Sequence, residues 1–124
     1  MPMIQIGTAC HAGQEHPVYL VQGNAVRDAE RADSPGRAHA KVNLAAARGE
    51  QGETLFVTLN GWRAKAAAVA AIRKMDSVLA IGTLKTRSCN GRRYYDLDAD
   101  FICLSGAGAE RGSLAAFADG ALPF

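Results

Sequence analysis

Glu53 to Leu104 reads ETLFVTLNGWRAKAAAVAAIRKMDSVLAIGTLKTRSCNGRRYYDLDADFICL. In its opening segment, Leu55, Val57 and Leu59 point one way. Phe56, Thr58, Asn60 and Trp62 point the other, for as long as strand geometry lasts. Two large aromatics therefore share a face with polar side chains, whereas a strand buried on both sides would place them with the leucines. RAKAAAVAAIRKM, from Arg63 to Met75, predicts a helix: its alanines favour one, and Val69, Ile72 and Met75 recur at three-residue spacing. Asn60 is the expected cap. SVLAIGTLKTR, from Ser77 to Arg87, is then a strand, apolar on both faces until Lys85 and Arg87. Ser88, Cys89, Asn90 and Gly91 form a turn with Asn-Gly at its tip. Arg92 begins the last long strand. Its alternation sends Tyr95, Leu97, Ala99, Phe101 and Cys103 inward, and Arg92, Tyr94, Asp96, Asp98 and Asp100 outward.

Upstream, PVYLVQGNAV from Pro17 is a strand rich in apolar residues, interrupted by Gly23 as at a bulge or tight bend. RADSPGR is a turn punctuated by Ser-Pro-Gly. AHAKVNLAAAR alternates Ala40, Val42, Leu44 and Ala46 with Lys41, Asn43, Ala45 and Ala47, a period of two. GEQGE, from Gly49 to Glu53, is the next loop. Residues 1–16 show no clear period and are read as an N-terminal extension or extra strand. Residues 17–104 form the folded domain, and residues 105–124, rich in small residues, form a short flexible C-terminal tail. The order strand-strand-strand-helix-strand-strand is all-β with one helix and predicts a five-stranded OB-fold barrel.

Composition narrows the function classes. The 124 residues suit one domain, and no apolar run approaches the length of a bilayer span. The opening MPMIQIGTACHAGQ lacks a basic segment followed by an apolar stretch, so a cytoplasmic, nucleoid-associated protein is expected. Cys10, Cys89 and Cys103 form no Cys-x-x-Cys pair and are read as reduced thiols. Cys10, His11 and His16 match no zinc spacing, so no metal is predicted. The chain has no phosphate-cradling Gly-x-x-x-x-Gly-Lys loop and no grouping that suggests a catalytic nucleophile, so neither enzymatic activity nor a cofactor is expected. A net charge of +2 is mild, but a mild total is compatible with a basic groove.

Phe56 to Ile102 resembles the bacterial single-stranded DNA-binding protein family. It is similar to that family's Val-Thr strand ending in Trp, Ala-rich helix, Val-Leu-x-x-Gly-x-Leu-x-Thr-Arg strand (Val78 to Arg87 here) and Tyr-bearing last strand. Gly23 to Glu30, GNAVRDAE, is similar to the family's Gly-x-x-x-Arg-Asp-Pro-Glu. Ala29 replaces the usual proline, and Met75 stands where a glycine often closes the helix. Cys89 lies in a loop that often carries an aromatic, and the hairpin between the second and third strands has none. Leu122, Pro123 and Phe124 look like the tip with which the family recruits replication and repair partners, although its acidic cluster is reduced to Asp119.

The resemblance implies an OB-fold that binds single-stranded DNA without reading sequence, in replication, recombination or repair, as a homodimer or homotetramer. Aromatic faces stack on bases, and Lys and Arg neutralise phosphates. Trp62, Phe56 and Tyr94 are the stacking candidates. Lys41, Arg48, Arg63, Lys65, Lys85, Arg87, Arg92 and Arg93 are the phosphate candidates, and Arg27 is a further one shared with Asp28 and Glu30. The alternating Asp96, Asp98 and Asp100 read as a solubilising strand face that DNA should avoid. His39 reads as a surface or loop-side residue. The alternative is an accessory subunit of a replication or restart complex, bound mainly to another protein and only weakly to DNA.

Overall fold

The computed structural model describes residues 3–48 and 54–105; of the tail expected over 105–124, Ser105 belongs to the last strand, where it pairs with Ser77, and the rest, with its Leu122-Pro123-Phe124 tip, lies outside the described residues. The described elements are β1 (Met3–His11), β2 (Gln14–Ala25), β3 (Glu30–Arg31), β4 (His39–Arg48), β5 (Thr54–Trp62), α1 (Ala66–Ala70), β6 (Ser77–Cys89) and β7 (Arg92–Ser105). A 3-10 turn at Arg63–Lys65 leads into α1.

Strands β2, β6, β7, β5 and β4 neighbour one another in that order, and two further pairs, Asn24↔Ala45 and Ala25↔Leu44, return β4 to β2. The ring is therefore closed. Its pairings are antiparallel except β5 with β7, which run parallel from Val57↔Tyr95 to Asn60↔Asp98. This is the five-stranded OB barrel, with the helical segment between its third and fourth strands. Strand β1 lies outside the ring, as a hairpin arm on β2, and β3 extends β4. Strand β2 begins at Gln14, ahead of Pro17; proline is accommodated because the ladder to β6 starts only at Val18.

Val21, Val42, Leu44, Val57, Leu59, Val78, Leu84 and Leu97 fill the barrel, and Val69 and Ile72 close one end of it. Burial of each such side chain contributes about 1.5–3 kcal/mol. Two glycines permit the closure. A Cβ on Gly23 would stand 2.5 Å from the Ala45 carbonyl oxygen, where β2 leaves β6 for β4. A Cβ on Gly82 would collide with the Asp98 carbonyl, where β7 bulges.

That bulge corrects part of the predicted alternation. Ile81 pairs with Phe101 and Gly82 with Ala99, which leaves Asp100 as the extra residue. The side-chain parity therefore flips beyond Asp100. Leu97 and Ala99 are buried as expected, but Ile102 and Leu104 take the inward positions, and Phe101 and Cys103 turn outward.

The helix is also shorter than expected. Beyond Ala70 the backbone groups are used elsewhere: the Ile72 and Asp76 carbonyls accept from the Ala29 and Ala25 N–H groups, and Met75 N–H donates to Ala25. The Asp76 carboxylate accepts from Arg73 N–H, and Met75 adopts a left-handed φ of 74° with its side chain exposed. The chain from Ile72 to Asp76 therefore ties the end of β2 to the barrel floor and cannot continue as helix. Asn60 is not the cap. Trp62 occupies that position, with no side-chain capping bond.

Candidate nucleic-acid interface

The outward face of β4, β5, β7 and β6 forms a groove of about 900 Å³. Register places its side chains in rows. Asn43 pairs with Thr58, Thr58 with Asp96, and Asp96 with Lys85; one step along, Lys41 pairs with Asn60, Asn60 with Asp98, and Asp98 with Thr83. The segment before β4 supplies Arg27, Asp28, Glu30 and Arg37 to the same groove.

Trp62 stands at one end, half-buried, beside its cross-strand neighbour His39. Their rings stack with centroids 3.7 Å apart and planes 4° from parallel, so one indole face is occupied by imidazole. The Arg37 guanidinium lies 5.2 Å from the indole centroid. The indole Nε1–H donates to Asp98 Oδ1 at 3.1 Å. His39 Nε2 lies 2.9 Å from Asn60 Oδ1 and acts as the donor there. The His39 backbone N–H donates to Asp33, and this bond, opposed by partial desolvation and aided by Arg31, holds the Asp33 carboxyl below its ordinary value. Trp62 is thus fixed on three sides before any ligand arrives.

Six basic and four acidic side chains line the groove among the described residues. Lys85 Nζ lies 3.0 Å from Asp98 Oδ2, and Arg87 Nε lies 2.9 Å from Asp96 Oδ2. Arg27, Arg37, Lys41 and Arg63 make no ion pair among the described residues. The acidic face of β7 expected to lie away from the interface is therefore partly inside it. The reason is topological: β7 sits between β5 and β6, mid-groove rather than at a sheet edge. Asp100, at the bulge, is not among the lining residues. Desolvation raises its carboxyl above the ordinary value, the nearby Lys65 lowers it, and Asp98 raises it further.

Of the binding candidates singled out in the sequence, the groove gathers Trp62, Arg27, Lys41, Arg63, Lys85 and Arg87. Phe56 and Tyr94 lie on the same sheet face beyond its lining, 54% and 41% exposed. Arg87 bridges toward them, with its guanidinium 5.2 Å from the Tyr94 ring. Lys65, Arg92 and Arg93 lie outside the lining; Arg92 and Arg93 flank the Asn90–Gly91 turn, whose two residues have φ of 53° and 76°. Arg48 pairs with Thr54 through its backbone, and its side chain lies outside the described residues. Sequence reasoning missed His39, Arg37, Asn43, Asn60 and Asp98 as parts of the site. The signal for His39 and Asn43 was their shared parity with Lys41 on β4.

No family model matches the chain, and no curated protein sequence matches it. Solved structures do. A small single-stranded DNA-binding protein from Streptomyces coelicolor is similar with a TM-score of 0.61 and 25% identity, over 74% of this chain and 96% of that one. A second single-stranded DNA-binding protein from Mycobacterium smegmatis gives 0.60 and 24%, over 73% and 89%. The wild-type single-stranded DNA-binding protein from Thermus aquaticus gives 0.59 and 24%, over 78% of this chain but only 44% of the longer Thermus chain. The chain therefore has the OB fold in the form taken by the bacterial single-stranded DNA-binding proteins.

Proposed function

We propose that the chain binds single-stranded DNA through this groove, without catalysis and without need of a defined sequence. The observation that carries the reading is one groove that holds a half-exposed indole together with Arg27, Arg37, Lys41 and Arg63, none of them in an ion pair among the described residues, with Phe56 and Tyr94 exposed on the same sheet face as the indole. Six residues of strand separate Phe56 from Trp62, about 20 Å. Base–aromatic stacking contributes roughly 1–3 kcal/mol per base, and phosphate neutralisation adds a salt-sensitive term. A role in replication, recombination or repair in the cytoplasm is part of the same proposal; no helix among the described residues is long and apolar enough to cross a membrane.

Self-association as a homodimer or homotetramer belongs to the same reading. Ile4, Leu20, Ile81 and Phe101 form one cross-strand row over β1, β2, β6 and β7, on the face opposite the core. Ile4 is 43% and neighbouring Ile6 51% exposed. An apolar row of this kind marks a contact surface, and a second copy of the chain would cover it.

Trp62 is the only tryptophan, so its fluorescence reports one site. Titration with oligo-thymidine should quench it, the effect should weaken as salt rises, and Trp62→Ala should cost roughly 1–3 kcal/mol of affinity. Light scattering on the same sample gives the mass. Flat emission with no gel shift would favour the second reading, an accessory subunit bound mainly to protein. The absence of an aromatic at Cys89 speaks for that alternative.

A further inference from the structure

We propose that Asp96 and Asp98, together with Asn60, make the groove favour bases that carry an exocyclic amine over thymine. The inference rests on the reading of the groove as a single-strand site and refines it. The two carboxylates stand mid-groove with side chains only 20% and 29% exposed. Arg87 orients one, and Lys85 and the Trp62 indole orient the other. A carboxylate offers about four lone-pair positions, so these partners leave acceptor capacity on both.

Asn60 supplies an independent observation. It is buried, 9% exposed, and lines the groove. Its Oδ1 meets His39, yet its amide nitrogen has no hydrogen-bond partner among the described residues. A buried donor left unmade is costly, and a ligand acceptor would satisfy it. Asn60 and Asp98 are direct neighbours in the parallel register, so an amide donor and carboxylate acceptors adjoin beside the indole.

Cytosine matches that arrangement. Its N4 amine donates to carboxylates, the pairing by which Asp and Glu recognise this base. Its N3 and O2 lie on the same edge and can accept from Asn60. Thymine has a single edge donor, N3–H, which can serve one carboxylate, and it places the O4 carbonyl where cytosine has the amine, so a lone pair faces the other carboxylate. The two bases have the same ring size and both stack, so the comparison reads their hydrogen-bonding edges: the amine against O4, N3 as acceptor against N3–H as donor, and the C5 methyl that thymine adds.

The test measures fluorescence anisotropy of labelled oligo-deoxycytidine and oligo-thymidine of equal length, at one salt concentration and mildly alkaline pH. The wild-type protein is expected to bind the cytosine strand about tenfold more tightly. The double variant Asp96→Asn/Asp98→Asn should gain affinity for thymine, because an amide donates to O4, and bring the ratio near one. Circular dichroism shows whether the variant folds, and the wild-type ratio stands without it. Equal or tighter binding of the thymine strand by wild type overturns the inference alone. So does a ratio unchanged in the folded variant. Binding of neither strand overturns the single-strand reading and the inference with it.

Discussion

Asp100 shows how a single side chain records the cost of its position. It is the extra residue of the β7 bulge, and desolvation raises its carboxyl above the ordinary value of 3.8 despite Lys65 nearby. A raised folded-state value contributes stability that is fully present below the unfolded value and lost as pH rises through the folded one. Asp100→Asn should therefore melt at a higher temperature than wild type at pH 7, and the difference should close on acidification toward 3.8. Thermal denaturation across pH measures this; a lower melting temperature for the variant at neutral pH would refute it. At this scale Trp62 was legible, because period-two parity alone put it on the polar face of its strand. Its partners were not. His39 and Asp98 reach it from two other strands, and only the cross-strand register, parallel on one side, brings them within bonding distance.

Among the elements, the helix departs furthest from its sequence. Alanine content forecasts three turns, yet the chain leaves the helix after Ala70, because tertiary hydrogen bonds to residues 25–29 claim the following backbone groups. Propensity reports what an isolated segment would do, and it is overridden when such bonds compete. The exit also places Met75 at φ 74° with its side chain 72% exposed. A left-handed conformation costs a non-glycine residue roughly 1–2 kcal/mol, partly offset in glycine by a more flexible unfolded chain. Met75→Gly is expected to stabilise the protein by up to about 1 kcal/mol in urea unfolding. Destabilisation would show that Met75 makes contacts that outweigh its backbone strain. The tip of the β6–β7 hairpin was legible in Asn90-Gly91, but the ladder continues through Ser88 and Cys89, which the turn reading had claimed, because they pair with Arg93 and Arg92. The outward turn of Phe101 was not, because one inserted residue changes parity without leaving a mark in composition.

For the molecule as a whole, the five ring strands could be read from alternation and turn signals, whereas β1 could not. That arm is exposed on both faces for most of its length, so no hydrophobic period is imposed on it. Net charge is a similarly poor guide to the groove, where cations and carboxylates interleave. For single strands the logarithm of affinity falls with the logarithm of salt at about −0.7 per neutralised phosphate. Four groove cations without an ion pair among the described residues predict a slope of about −3, and release of Lys85 and Arg87 in Asp96→Asn/Asp98→Asn steepens it to about −4. A slope near zero in wild type would remove phosphate contact from the account. The ring itself is joined unevenly. Long ladders hold most of its seams, but β2 meets β4 through two residue pairs, continued by one backbone bond from Val26 N–H to the Asn43 carbonyl. Thermal breathing will begin at this short suture. An opened cylinder becomes a curled sheet with two bare margins, each able to capture a margin of another molecule, so this juncture governs how readily the protein exchanges strands or aggregates when heated.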